Sequence, residues 1–382
     1  MTDAELHSHL IGRQGSRVDL NTPVLIVELG AMTRNIAGMA AFAAAHGVAL
    51  RPHAKTHKSS EIARRQLAAG AIGICCAKLG EAEALADGGI TDGLHLTSPV
   101  VGAAAIARLV ALNARTERLM TVVDHPANVA ALGAANGAAN GGGKPLDVII
   151  DIDPGIRRTG VASPAAAVEL LAAIRAEPAL RYAGVQCYCG VQQHITGFDD
   201  RAAAMADRAA YVRLVIAALG DAGGAPAIVT GGGTGTHRID VGLGLFTELQ
   251  VGSYVFMDSQ YLACDLTGDA EPPFETALTI DARVVSANHT GMVTIDAGYK
   301  AFATDAEPPL LVAGATAGTK YFFMGDEHGA LVGPAPLPAL GETVTLAAPH
   351  CDPTVNLYDN YHVVDGDTLR AIWPISGRGR SR

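Results

Sequence analysis

The chain has 382 residues, 49% hydrophobic and 17% charged, with 44 glycines and 19 prolines. That composition supplies a large core and fits two domains, or one large barrel with an appendage. Asp plus Glu (38) outnumber Lys plus Arg (28), giving a net charge of −10, and an acidic chain without a basic stripe argues against nucleic acid as a partner. No uninterrupted apolar run is long enough for a membrane span. The segment from Met1 to Arg17 lacks the apolar stretch of a secretory signal. The cysteines (Cys75, Cys76, Cys187, Cys189, Cys264 and Cys351) lack zinc-site spacing, and the paired ones lie in apolar runs. Buried free thiols and a reducing, cytoplasmic compartment are expected.

In chain order, strand Val24–Glu28 precedes helix Met32–His46. The alternation then repeats, with strand Ala49–Lys55 and helix Ser59–Ala69, strand Gly73–Lys78 and helix Gly80–Ala86, strand Gly93–Ser98 and helix Ala103–Ala114. Strand Leu119–Asp124 leads to helix Pro126–Ala135, strand Asp147–Asp153 to helix Pro164–Ala176, and strand Gly184–Gly190 to helix Asp199–Leu219. Ala227–Gly232 and Leu249–Phe256 are the last strands of the series, and Gly137–Gly143 reads as a flexible loop. Most of these strands are continuous apolar runs, as in a parallel sheet covered on both faces.

A doubly wound sheet would carry its glycine-rich turn after the first strand, but that strand ends in Glu28-Leu29-Gly30. The glycine cluster, Gly231 to Gly235, follows a late strand, and polar residues (Lys55, Lys78, Ser98, Asp124, Asp153, Tyr188) recur at strand ends. Both are habits of the (β/α)8 barrel. The expected fold is α/β, a TIM-like (β/α)8 barrel over residues 22–268. The series has one strand more than a barrel needs, and Thr22–Glu28 is the one free to pair elsewhere. From about residue 270 long helices vanish. Ala277–Val285, Met292–Asp296, Lys320–Met324, Glu342–Ala347 and Thr368–Trp373 read as strands of a mostly antiparallel β domain, residues 269–382 with 1–21.

Four segments could carry chemistry. Two histidines and two lysines crowd Arg51–Lys58, with Lys55 at a strand end. Desolvation and neighbouring cations favour a neutral, nucleophilic amine, and a solvated basic loop is the alternative. Thr230–Thr236 offers backbone N–H groups and hydroxyls to a phosphate, or is simply a tight turn. His350 and Asp352, two apart on an extended segment, point the same way and could share a cation, with Cys351 facing away. One imidazole and one carboxylate suit Mn²⁺ or Mg²⁺ better than Zn²⁺. Arg158, in the Gly155–Gly160 turn, can donate to an oxyanion or be a surface arginine.

Together these strings resemble the metal-activated D-threonine aldolase and D-serine dehydratase family, fold-type III pyridoxal-phosphate enzymes on an alanine-racemase-type barrel. The resemblance lies in Arg51–Lys58 (RPHAKTHK), Gly73–Cys76 (GICC), Gln186–Tyr188 (QCY), Thr230–Gly235 (TGGGTG), Glu248–Asp258 (ELQVGSYVFMD), Asp296–Gly298 (DAG), Asp326–Gly329 (DEHG) and His350–Asn356 (HCDPTVN). It implies that Lys55 carries pyridoxal 5'-phosphate as a Schiff base, that Arg158 meets its phenolic oxygen, and that Tyr188 lies beside it. Thr234, Gly235, Gly252 and Ser253 would hold the phosphate, and Thr230, Gly233 and Tyr254 are further cofactor-binding residues. Gln250 would face the ring nitrogen, where many barrel relatives carry arginine. His350 and Asp352 would bind the divalent cation, and His194, near the substrate hydroxyl, or a cation-bound water would serve as the base.

The implied reaction is retro-aldol cleavage of a D-β-hydroxy-α-amino acid, D-threonine-like, to glycine and an aldehyde, by a homodimer. A D-serine or D-3-hydroxyaspartate dehydratase is the rival on the same scaffold, although such relatives tend to carry H-x-C where this chain has H-x-D. A pyridoxal-phosphate-binding regulatory protein would lack the second domain, and a racemase would not need metal. Ala77 and Cys189 depart from the family pattern, where glutamine and a polar residue are usual.

Overall fold

The computed structural model describes residues 2–140, 144–269 and 271–382. The chain divides into two compact units. One comprises Met1–Gly38, Ser253–Ala263 and Glu271–Arg378, the other Met39–Gly252, Cys264–Ala270 and Gly379–Arg382.

Strand β1 (Val24–Glu28) belongs to the first unit. The second unit holds eight parallel strands: β2 (Ala49–Leu50), β3 (Ile74–Cys76), β4 (Leu94–Leu96), β5 (Leu119–Val123), β6 (Leu146–Asp151), β7 (Leu180–Cys187), β8 (Ile228–Gly231) and β9 (Glu248–Leu249). Each from β3 to β8 pairs with the next, and β9 pairs with β2. Backbone bonds close the ring, because Ala54 N donates to Cys75 O and Cys75 N to Pro52 O, both at 2.8 Å, with His53 bridging Cys75 in parallel. The expected barrel is present. The expected strand Ala49–Lys55 keeps its regular ladder only to Leu50. Pro52 has no N–H to donate, so pairing resumes as a single bridge and Lys55 falls in the following turn.

Helices cover the outside in the expected places, with boundaries shifted by a few residues, for example Leu29–Ala45 and Phe198–Asp221. Helix Pro126–Asn140 runs through the front of the expected loop Gly137–Gly143, whose residues 141–143 lie outside the described residues. Outward strand residues such as Leu94, Leu119, Val148 and Val185 pack with Leu109, Leu132, Leu170 and Val212 of the helices in one buried cluster. Strand side chains alternate, so the inward positions are a separate set. Met120, Val122 and Ile149 form an apolar cluster there. Polar inward positions (Arg51, His95, Asp151, Gln186, Thr230, Glu248, Gln250) are also buried, which obliges each to find a partner. The expected strand Leu249–Phe256 ends at Leu249, and Ser253–Val255 is a 3-10 turn.

In the first unit, β10 (Leu278–His289), β11 (Met292–Ile295), β12 (Leu310–Ala313), β13 (Lys320–Phe323), β14 (Gly329–Val332), β15 (Thr343–Ala347), β16 (Asn360–Asp365) and β17 (Thr368–Pro374) join β1 in a mostly antiparallel nine-stranded sheet. β1 pairs antiparallel with β10 and parallel with β16. Strands β12, β14 and β16 are additional to those read from the sequence. No described helix is long and apolar enough to cross a membrane, and all six cysteines are free.

Candidate active site

The carboxyl ends of the barrel strands surround a cavity of about 400 Å³ lined by His53, Lys55, Ala77, Lys78, Thr97, Ser98, Pro99, Arg158, Thr159, Gln186, Tyr188 and Gln250. Three cations and no carboxylate line it, so the cavity favours an anionic guest. Tyr188 lies near two of the cations. Lys55 Nζ lies 5.8 Å and the Arg158 guanidinium 5.7 Å from its ring centroid.

Local bonds explain how these side chains are presented. His53 Nδ1 accepts from Lys55 N at 3.3 Å, and His53 Nε2 meets Thr97 Oγ1 at 3.1 Å. The other basic residues of the Arg51–Lys58 string are used elsewhere. Arg51 is fully buried and pairs with Glu248. Lys58, at φ +49°, forms a buried ion pair with Glu81, whose other oxygen accepts from Ala77 N at 2.8 Å and Lys78 N at 3.3 Å. That bracket ties the Lys55 turn to the Ala77–Lys78 lip. Asp153 Oδ1 accepts from Gly155 N (2.8 Å) and Arg157 N (3.0 Å), shaping the turn that presents Arg158.

The glycine cluster follows β8 and packs on Gln193, a buried residue that sequence reasoning passed over. Gln193 Oε1 accepts from Gly235 N at 3.0 Å, and Gln193 Nε2 donates to Thr236 Oγ1 at 2.9 Å. A Cβ on Gly233 would lie 2.4 Å from Gln193 Oε1, and one on Gly235 2.0 Å from Gln193 O, so only glycine fits this approach. Thr236 Oγ1 donates to Asp240 Oδ2 at 2.6 Å. Burial pushes Asp240 up to about 7 against that bond. Gly252 makes a second close approach, since a Cβ there would lie 2.8 Å from Thr56 Oγ1, a buried hydroxyl with no hydrogen-bond partner among the described residues. A polar hydroxyl left unmatched beside bare backbone suits a polar guest such as a phosphate. Ser253 and Tyr254, both buried, open the 3-10 turn peptide-bonded to Gly252. His194 is exposed on the 3-10 turn Val191–His194 and does not line the Lys55 cavity.

In the first unit, His350 and Asp352 converge, with His350 Nε2 3.2 Å from Asp352 Oδ2. The extended segment expected there is in fact a helix, Cys351–Val355, with His350 as its N-cap residue. Asp258 Oδ2 accepts from Cys351 N at 2.9 Å and anchors the turn. Asp305, which sequence reasoning did not single out, holds His350 Nδ1 at 2.8 Å. A carboxylate on one ring nitrogen and a ligand group facing the other is how metal-binding histidines are oriented, so these residues fit a divalent cation. Burial opposes a charge on His350, but bonds to Asp352 and Asp305 prevail and raise its pKa to about 9. Among the described residues, Asp3, His7 and His362 form a group of metal-ligating types whose ligand atoms lie within 4.8 Å of one another. Asn21 N donates to His7 Nε2 (3.0 Å), so His7 Nδ1 carries the proton and donates to His362 Nε2 (2.8 Å). The two imidazoles already use each other's facing atoms.

The alanine racemase N-terminal domain model matches residues 27–260, and a putative serine dehydratase domain model matches residues 277–364. The chain belongs to this fold-type III family. A D-threonine aldolase of Arthrobacter is 39% identical over 96% of the chain and 94% of its own length. A 3-hydroxy-D-aspartate aldolase of Paracoccus denitrificans (strain Pd 1222) is 37% identical over 95% and 93%. The crystal structure of D-threonine aldolase from Filomicrobium marinum superposes with a TM-score of 0.90 at 39% identity, covering 95% of this chain and 97% of that one.

Proposed function

We propose that the chain is a lyase that cleaves the Cα–Cβ bond of D-β-hydroxy-α-amino acids, giving glycine and an aldehyde, with pyridoxal 5'-phosphate and a divalent cation. The observation that carries this reading is the end-to-end likeness to a D-threonine aldolase, 39% identical over 96% of the chain. A D-threo-3-hydroxyaspartate dehydratase of Delftia is 33% identical over 76%.

When bound, the cofactor supplies an electron sink for the pair released at Cα, and the cation acidifies a hydroxyl it contacts. The chain's own residues do the rest. Lys55 is the amine that holds the cofactor covalently, against the Tyr188 ring. Arg158 donates to the phenolic oxygen. Thr234, Gly235, Gly252 and Ser253 form the phosphate-side cradle, which the close glycine approaches and the unmatched Thr56 hydroxyl support, and Thr230, Gly233 and Tyr254 belong to the cofactor pocket around it. Gln250 faces the ring nitrogen. His350 and Asp352 hold the cation, Mn²⁺ or Mg²⁺ by donor type, and Asp305 orients the imidazole. The base that takes the hydroxyl proton would be His194, which must then turn in from its exposed position, or a water held by the cation. The protein acts as a homodimer in the cytoplasm, a compartment consistent with six free thiols.

The test is incubation of purified protein with pyridoxal phosphate, Mn²⁺ and D-threonine, followed by product analysis and by borohydride trapping. Glycine with acetaldehyde, and trapped cofactor on the peptide carrying Lys55, are expected. Ammonia and a keto acid without glycine would move the assignment to the dehydratase, and light scattering checks the dimer.

A further inference from the structure

The cavity floor is a hydrogen-bonded chain whose polarity is fixed from one end. At that end, Gln186 Nε2 donates to Thr97 O at 3.1 Å and to Asp151 Oδ1 at 3.0 Å. A backbone carbonyl can only accept, so that atom of Gln186 must be its nitrogen, and its Oε1 is the accepting side. Oε1 takes a bond from His95 Nε2 at 2.8 Å, and burial keeps His95 neutral, with a pKa near about 4. Oε1 also meets Gln250 at 3.1 Å, so the Gln250 atom there must be a donor, Nε2. The second Nε2 hydrogen goes to Thr230 Oγ1 at 3.0 Å. The Thr230 hydroxyl is free to accept it, because the Glu248 carboxylate on its other side, held by Arg51, can take the hydroxyl proton and cannot supply one.

Both N–H bonds of Gln250 are therefore spent inside the chain. Its Oε1 has no hydrogen-bond partner among the described residues and is not sealed from the cavity that Gln250 lines. We infer that Gln250 is an acceptor-only group at the cavity floor, and that it holds a proton on the ring nitrogen of the bound cofactor. This rests on the cofactor reading above, with Gln250 opposite that nitrogen. An unprotonated ring nitrogen would set lone pair against lone pair, whereas a protonated one makes an N–H···O bond to a carbonyl that cannot turn its amide round without breaking two bonds. The neutral glutamine thus does the work of an acceptor and strengthens the electron sink, which a donor at the same position would weaken. One bond between a charged donor and a carbonyl raises the nitrogen's proton affinity at least about tenfold.

The experiment uses the full chain loaded with pyridoxal phosphate carrying ¹⁵N in the ring, with the nitrogen resonance followed across pH. Borohydride trapping at Lys55 is run on the same sample. The expected result is a protonated nitrogen that persists at least one pH unit above the value for the free cofactor. Gln250→Leu should move the titration back toward that value, and Gln250→Glu, which also accepts, should keep the proton. Trapped cofactor with an unprotonated ring nitrogen in the wild-type protein at neutral pH overturns the inference while leaving the cofactor assignment intact. An unchanged titration in Gln250→Leu does the same. No trappable cofactor at Lys55 overturns the assignment itself, and this inference with it.

Discussion

The ion pair inside the barrel offers a direct test of what holds the polar interior together. Arg51 and Glu248 are essentially sealed from solvent, with side-chain exposures of 0% and 3%. The pair is bidentate, Nε to Oε1 at 2.8 Å and Nη2 to Oε2 at 2.9 Å, and Arg51 also donates from Nη1 to Gly93 O. The guanidinium reaches that carbonyl because residue 73 is glycine, where a Cβ would lie 2.2 Å from Nη1. Burial disfavours the charge on Glu248, but the bond from Arg51 and its charge outweigh it and hold the carboxyl below its ordinary range. Glu248→Gln removes the counter-charge and leaves the guanidinium buried beside an amide. Breaking a buried pair from one side costs about 3–5 kcal/mol. With a urea slope of about 2–3 kcal/mol/M, the midpoint should fall by about 1–2.5 M. Far-UV circular dichroism follows the transition, and fluorescence of the single tryptophan, Trp373, reports the other unit separately. Replacing both partners, Arg51→Met with Glu248→Leu, removes the uncompensated charge and should be less destabilising than Glu248→Gln alone. A Glu248→Gln protein within about 1 kcal/mol of wild type, or a double variant no better than the single, would refute the reasoning.

Three further outcomes are expected. Gly252→Ala places a methyl 2.8 Å from Thr56 Oγ1; pyridoxal phosphate affinity, read by absorbance titration, should fall about tenfold or more with circular dichroism unchanged, and undiminished affinity would mean that the cradle lies elsewhere. Asp305→Asn weakens the partner that orients His350, so the Mn²⁺ dissociation constant measured by calorimetry should rise about 10–100-fold. Asp240 has a folded pKa of about 7, above its ordinary 3.8, because burial penalises its charge. Its contribution is present below pH 3.8 and is lost as pH rises through about 7. Asp240→Asn abolishes that loss, so between pH 4 and pH 8 the wild type should fall relative to the variant by about 4 kcal/mol in urea melts.

The barrel was legible because strands covered on both faces leave mostly apolar runs, such as Leu119–Val123, broken only by Thr121, and Val148–Ile150. The same rule misled at Leu249–Phe256, equally apolar, where Gly252 lets the chain turn away toward Thr56 instead of extending the ladder. Strand β12 escaped notice because three of its four residues are exposed and it carries no alternation, and β14 because it is four residues opening on glycine. For the site, local strings were enough to bring Lys55, Arg158, Tyr188 and Gln250 to one cavity. They could not separate lysines with different fates within one string, since Lys58 is neutralised by Glu81, twenty-three residues on. Nor could they find Asp305, forty-five residues before His350. The hardest feature to foresee is the direction of a bond. Whether Gln250 offers a donor or an acceptor depends on the Thr97 carbonyl and the Asp151 carboxylate, neither near it in the chain and both accepting from Gln186. A glutamine in a motif has two faces, and only the closed ring of strands, by setting which neighbours can give a proton, decides which face the ligand meets.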